Sequence, residues 1–125
     1  MAPSAEGYAT LEVTGPFIEA ADNKYNIHFN VKTNDTAADI KVGTQLWANY
    51  DFAKYWDEND WSQIQGFFFR TSVSADSLAA AKTEEGAAIN FLGVDKNDYV
   101  FFFEALTEQN TPTQYAIRVT SEKFE

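Results

Sequence analysis

The chain has no cysteine, a single histidine (His28), three prolines and six glycines in 125 residues. Without cysteine there is no disulfide framework, thiol nucleophile, iron–sulfur cluster or cysteine-ligated zinc site. One histidine without a patterned serine or carboxylate around it excludes an ordinary Ser-His-Asp site. The chain has no internal repeat and no low-complexity tract. Positive charge is scarce as well. Nine Lys+Arg face 19 Asp+Glu, for a formal net charge of −10. Nucleic-acid binding depends on basic side chains displacing counterions from phosphates, so no nucleic-acid partner is expected. An anionic membrane surface is disfavoured on the same ground. Apolar runs such as Tyr99 to Phe103 fall far short of the ~18 residues of a membrane helix, so no membrane insertion is expected in this segment. The start, Met1 to Gly7, has neither a basic nor an apolar stretch and does not read as a signal peptide. A cytosolic protein and an exported one lacking its signal both fit.

What is abundant is aromatic mass: 11 Phe, 6 Tyr and 3 Trp, within a hydrophobic fraction of 45%. That is ample for one packed domain. Most of it lies in period-two patterns, the signature of half-buried strands. Tyr8 to Val13 reads as a first strand ended by Gly15-Pro16. Tyr25, Ile27, Phe29 and Val31 alternate with Asn26, His28, Asn30 and Lys32. Thr33 to Thr36 reads as a turn, and Ile40 to Ala48 as the next strand, with Trp47 on its second face. The middle of the chain changes period. Trp61, Ile64 and Phe68 follow helical spacing, predicting a helix from about Asp60 to Phe69. A second short helix follows, capped by Ser74 or Asp76, favoured by Ala79 to Ala81, with Leu78 and Ala81 on one face, and stopped shortly afterwards by Gly86. Ala88 to Leu92, Tyr99 to Leu106 and Tyr115 to Thr120 complete the strands. Tyr99 to Leu106 is apolar on both faces, as in a central strand covered on both sides. The pattern predicts an all-β, antiparallel sandwich with a short helical insertion, about 58–84, in a single domain 1–125. A plain sandwich takes ~100 residues, which leaves a surplus close to the length of Trp61 to Lys82.

The segments Leu78 to Gly86, Ala88 to Phe91, Val94 to Tyr99, Val100 to Ala105 and Tyr115 to Thr120 together resemble the last strands of a fibronectin type III-like module. Such modules are common in surface and exported proteins, including lipoproteins, of the Bacteroidetes. In that family a Leu-x-Pro-x-Thr-x-Tyr segment leads into the sixth strand, and its tyrosine makes a corner. Here Val94 takes the Leu position and Tyr99 the Tyr position; the spacing is one residue shorter, the proline is missing, and Asn97 stands where Thr is usual. The resemblance implies an immunoglobulin-like sandwich, a cell-surface or extracellular setting, and a non-catalytic role in spacing, adhesion or contact with neighbouring domains or a surface protein. It implies no cofactor.

Chemistry-bearing residues are few. Trp47, Tyr50, Phe52, Tyr55, Trp56 and Trp61 stand close in sequence to Asn49, Asp51, Asp57, Asn59, Asp60 and Gln63. Flat rings that stack on the C–H face of a sugar, beside amides and carboxylates for its hydroxyls, would make a carbohydrate-binding site. Trp47, Tyr50, Tyr55, Trp56 and Trp61 are its candidate binding residues, with Trp56, flanked by Lys54 and Asp57-Glu58, the best placed for exposure. The competing reading is that the same rings pack the helix onto the sheet, as aromatics do in most cores. Asp57 to Asp60 fails the spacing of a calcium loop, with Trp61 and Ser62 where ligand and glycine belong, and reads as a helix start. No metal ligand is expected. A small glycan hydrolase needs two carboxylates facing across a cleft, which nothing in the pattern specifies. His28 reads as an exposed strand residue, and Asp95, Asn97 and Asp98 as a turn. Phe67-Phe68-Phe69 and Phe101-Phe102-Phe103 cannot all enter one core. Either helix and sheet bury each other's rings, or some rings face a partner.

Overall fold

A computed structural model describes residues 9–49, 54 and 70–124. Within them seven strands form two antiparallel sheets, with one α-helix. Strands β1 (Glu12–Ala21), β2 (Lys24–Lys32) and β5 (Ala87–Val94) make a three-stranded sheet in the order β1-β2-β5. Strands β4 (Thr71–Ser72), β3 (Asp39–Leu46), β6 (Tyr99–Leu106) and β7 (Pro112–Val119) make the other, in the order β4-β3-β6-β7. The helix α1 (Ala75–Ala81) crosses from β4 to β5 and so from one sheet to the other. The chain is an all-β sandwich with a short helix.

The sheets close on a core of aromatic rings. In β2 the odd positions Ile27, Phe29 and Val31 are buried and face inward. In β6 the inward positions are Tyr99, Phe101, Phe103 and Ala105. Phe29 meets Phe101 and Phe103, each with ring centroids 5.0 Å apart, and Phe91 of β5 meets Phe101 at 4.8 Å. Tilted and edge contacts of this kind add about 0.5–1.5 kcal/mol beyond the area they bury. The apolar run 99–106 is buried along its whole length, because β6 lies between β3 and β7 and its outer face is covered too. Phe102 points to that outer face, where the Arg70 guanidinium lies 5.6 Å from its ring centroid. Beside it Arg70 Nη1 donates to both carboxylate oxygens of the buried Glu104, at 3.2 and 3.1 Å, and Gln114 Nε2 donates to Glu104 Oε2 at 2.7 Å. The three consecutive phenylalanines of β6 are thus all buried, two in the core and one under this cluster.

Helix α1 begins where the sequence places it. Ser74 is extended and its hydroxyl accepts from the Ser77 backbone N–H at 3.1 Å. Ala81 is buried, and Leu78 and Ala80 pack on the core, so the small-residue face seals the sandwich between the sheets. Ser74→Ala removes the acceptor for a first-turn N–H and is expected to cost about 1 kcal/mol, read as a lower urea midpoint at unchanged slope. Gly86 precedes β5 with φ +77, and a Cβ there would press on the Asn30 side chain. Only glycine takes that backbone without penalty, so Gly86→Ala is expected to destabilise by about 1–2 kcal/mol in the same assay.

Several boundaries differ from the sequence reading, three of them in ways that change the description of the fold. The first strand does not stop at Gly15-Pro16. It runs on to Ala21, because β2 offers backbone partners on both sides of a bulge between Thr14 and Phe17. Trp47 lies past the end of β3, in a 3₁₀ turn over Trp47–Asn49. The span 58–84 holds the two-residue strand β4 as well as α1. The predicted helix from Asp60 to Phe69 lies outside the described residues, as does the Phe67 to Phe69 run.

Candidate functional site

The strand directions define two poles. β1 starts and β2 ends at one pole, where Glu12 pairs with Lys32. The β2–β3 loop, the β6–β7 loop and the C-terminal end of α1 gather there. Asp35, Thr36, Ala37, Ala38, Leu78, Lys82, Thr107, Glu108 and Gln109 line a cleft of about 510 Å³ between them. Its two loops are held by their own hydrogen bonds. The Asn34 side chain accepts from Thr36 N at 3.2 Å. Across the other loop, Thr107 N donates to Thr111 O at 3.2 Å and Asn110 N to Thr107 O at 2.9 Å, with Asn110 in the left-handed region at φ 62. Asparagine tolerates that backbone better than branched residues do. The Thr33 N–H donates to Ala81 O at 2.8 Å and ties the first loop to the helix. The cleft is therefore preformed. It offers two carboxylates, an ammonium, an amide and hydroxyls over a small apolar floor, a lining suited to polar contact.

The opposite pole holds Tyr99 and Trp47. The Tyr99 hydroxyl donates to Asp95 O at 2.6 Å, four residues upstream at the entry to β6. Burial, and after it the nearby Asp95 charge, raise the Tyr99 pKa above its ordinary value, so the hydroxyl keeps its proton and remains a donor. Asp98 accepts from Ser121 N at 2.6 Å, and its backbone oxygen accepts from Trp47 N at 3.0 Å. Arg118 lies over the Trp47 ring at 3.8 Å from its centroid and 3.7 Å from Asp98. Phe124 is buried and meets Tyr25 edge-on at 5.1 Å. The turn residues Asp95 to Asp98 thus brace this pole, and Trp47 is half-buried beneath a guanidinium.

Of the sequence-predicted binding residues, Trp47 is the one the described structure places. Tyr50, Tyr55, Trp56 and Trp61 lie outside the described residues. His28 lies on the polar face of its strand, as its alternation predicts, and there it has two side-chain partners that the sequence pattern does not show. Its Nδ1 faces Asn90 Oδ1 at 2.7 Å and its Nε2 faces Glu19 Oε1 at 2.9 Å, on the outer face of the β1-β2-β5 sheet. Asn26 Nδ2 also donates to Glu19 Oε1, at 3.2 Å. The sequence carried no signal for this cluster, because β1 and β5 bring in groups 9 and 62 residues away.

Both imidazole nitrogens face acceptor oxygens, which only the protonated ring satisfies fully. The Asn90 bond and then the Glu19 bond raise the His28 pKa above its ordinary value of 6.5. The His28 bond, with Asn26 after it, lowers that of Glu19. The signs fix a window. The His28 contribution to stability is complete below its unfolded pKa and is lost as pH rises through its raised folded value. The Glu19 contribution is present above its own unfolded value and is lost as pH falls through the lowered folded one. Wild type is therefore expected to lose melting temperature relative to His28→Gln as pH rises from mildly acidic to alkaline. Parallel curves for the two proteins would show that the network is not linked to folding.

Among the described residues, no group of three or more His, Asp or Glu side chains is placed to hold a metal ion. Nor is any helix among them long and apolar enough to cross a membrane. Compared with known proteins, the chain matches no family model, no curated protein and no solved structure.

Proposed function

We propose that the chain is a fibronectin type III-like, non-catalytic module of a cell-surface or exported protein, acting as a rigid spacer that presents a polar pole for contact with a neighbouring domain or surface protein. The observation that carries this reading is the direction of the strands. β1 begins at the cleft pole and β7 ends at the opposite one, since seven antiparallel strands cross the sandwich an odd number of times. Domains joined on either side would be set end to end. The three-plus-four strand order and the Tyr99 bond to the chain just before its strand support the fibronectin-like reading, since a tyrosine corner of this kind occurs in such sandwiches. The surface setting rests on that resemblance.

Small-angle scattering of the chain fused to a compact reporter domain at each end tests the spacer. The reading expects reporters at opposite poles, separated by the length of the sandwich. Reporters lying side by side would overturn it. The rival reading as a small hydrolase is tested with aryl glycosides. Release of the aryl group should stay at buffer background, and turnover that disappears in Glu108→Gln or Asp35→Asn would make the cleft an active site.

A further inference from the structure

A bulge in β1 turns an apolar side chain out of the core, and β5 places a second on the same sheet face. At the start of β1 and just before it the inward residues are odd, Leu11 and Val13, and further along the strand even, Ile18. The bulge between Thr14 and Phe17 makes that change, and it leaves Phe17 on the solvent side, 57% exposed. Along β5 the inward residues are Ala87, Ile89 and Phe91, and then Val94. Leu92, next to inward Phe91, faces out by ordinary alternation and is 67% exposed, and the register shift after it brings Val94 inward. These are the two exposed large hydrophobics among the described residues. In an unbulged strand, period-two alternation would carry Phe17 inward. Bulges that re-aim side chains in this way gather at functional surfaces.

Both residues flank the His28 network. Phe17 pairs with His28 across β1 and β2, and His28 with Asn90 across β2 and β5, so the three side chains form one row on the outer face. Glu19 and Asn26 form the next row, where Asn26 Oδ1 accepts from Gly93 N at 3.0 Å beside Leu92. These bonds fix four planar polar side chains before any ligand arrives, which lowers the entropy lost on binding. Hydrogen-bonding capacity is left over. Asn90 Nδ2 and the second oxygen of Glu19 have no protein partner among the described residues.

We propose that this face binds a neutral oligosaccharide, with the C–H face of one sugar on the Phe17 ring, hydroxyls bonded to Asn90 Nδ2 and Glu19, and a further ring against Leu92. The face crosses two strand spacings, about 10 Å, which suits linked sugars rather than one. Local charge supports a neutral ligand: the Glu19 carboxylate is bonded to His28 and Asn26, and Lys32 stands opposite Glu12. The net charge of −10 opposes acidic glycans. Polar groups separate the two hydrophobics, which matches the apolar C–H faces and intervening hydroxyls of linked sugars.

Titration of the full chain with neutral cello-, xylo-, manno-, laminari- and chito-oligosaccharides, followed by NMR, tests the assignment. At least one series should shift the Asn90 side-chain amide and the His28 ring. Phe17→Ala and Asn90→Ala should each weaken that binding at least tenfold, while Trp56→Ala leaves it unchanged. Both substitutions lie on the surface, and unchanged amide spectra elsewhere verify folding. No shift at these groups with any series would overturn the proposal. Binding that survives Phe17→Ala but is lost in Trp56→Ala would overturn it too, by placing the sugar on other aromatics. Neither failure touches the spacer reading, which scattering tests separately.

Discussion

Phe101→Ala is expected to destabilise the sandwich by about 3–5 kcal/mol, the usual loss for an aromatic removed from a packed core. Phe101 is fully buried at the centre of β6, where its ring meets Phe29, Phe91 and Tyr99 from three strands and both sheets. The cavity cannot collapse easily, because its walls are hydrogen-bonded strands rather than a loop. Domains of this size are stable by about 5–15 kcal/mol, so the variant stands close to unfolding. Urea denaturation followed by circular dichroism measures the loss. Phe17→Ala, which removes the same side-chain atoms at an exposed site, is expected to stay within about 0.5 kcal/mol of wild type. Equal losses at the two positions would mean that the sheets do not pack through Phe101.

Glu104→Ala is expected to cost about 2–3 kcal/mol. Breaking a fully buried ion pair costs about 3–5 kcal/mol, and the figure is lower here because the Arg70 side chain is 27% exposed, so water screens it. The substitution removes the acceptor for Arg70 and for Gln114 at once. Replacing both charges by apolar side chains of similar size, Glu104→Leu with Arg70→Met, should be better tolerated than the sum of the single changes. Neither charge is then left without its counterpart. A double-mutant cycle on urea midpoints reads the coupling. Strictly additive effects would show that the pair is no more than a surface contact.

Local patterning made the architecture legible because a strand with one buried face must alternate. Asn26, His28 and Asn30 face out while Ile27, Phe29 and Val31 face in. The run Tyr99 to Leu106 broke the alternation for a physical reason: β6 is central and covered on both sides. Ser74 was legible as a cap because its bond reaches only three residues along the chain. Strand β4 was not, since two residues carry no period. Gly15-Pro16 was misleading for the opposite reason. It is strong local punctuation, but β2 pairs with residues on both sides of it and the strand continues.

The candidate sites divide along the same line. The aromatic cluster Tyr50 to Trp61 attracts attention in the sequence because its members are neighbours. The His28 network has no such proximity. Its members come from β1, β2 and β5, and they meet because antiparallel register places Phe17, His28 and Asn90 in one row. The scarcity of histidine, first a reason to exclude a Ser-His-Asp site, thus marks the one imidazole that the fold surrounds with acceptors. By itself the sequence determined the strand periodicity, the all-β class and the acidic surface, because these depend on composition and on contacts a few residues apart. Only the tertiary structure decided which outward-facing side chains meet and which hydrophobics face water. Those depend on register and on bulges, and one residue of shift moves a side chain to the other face of the sheet.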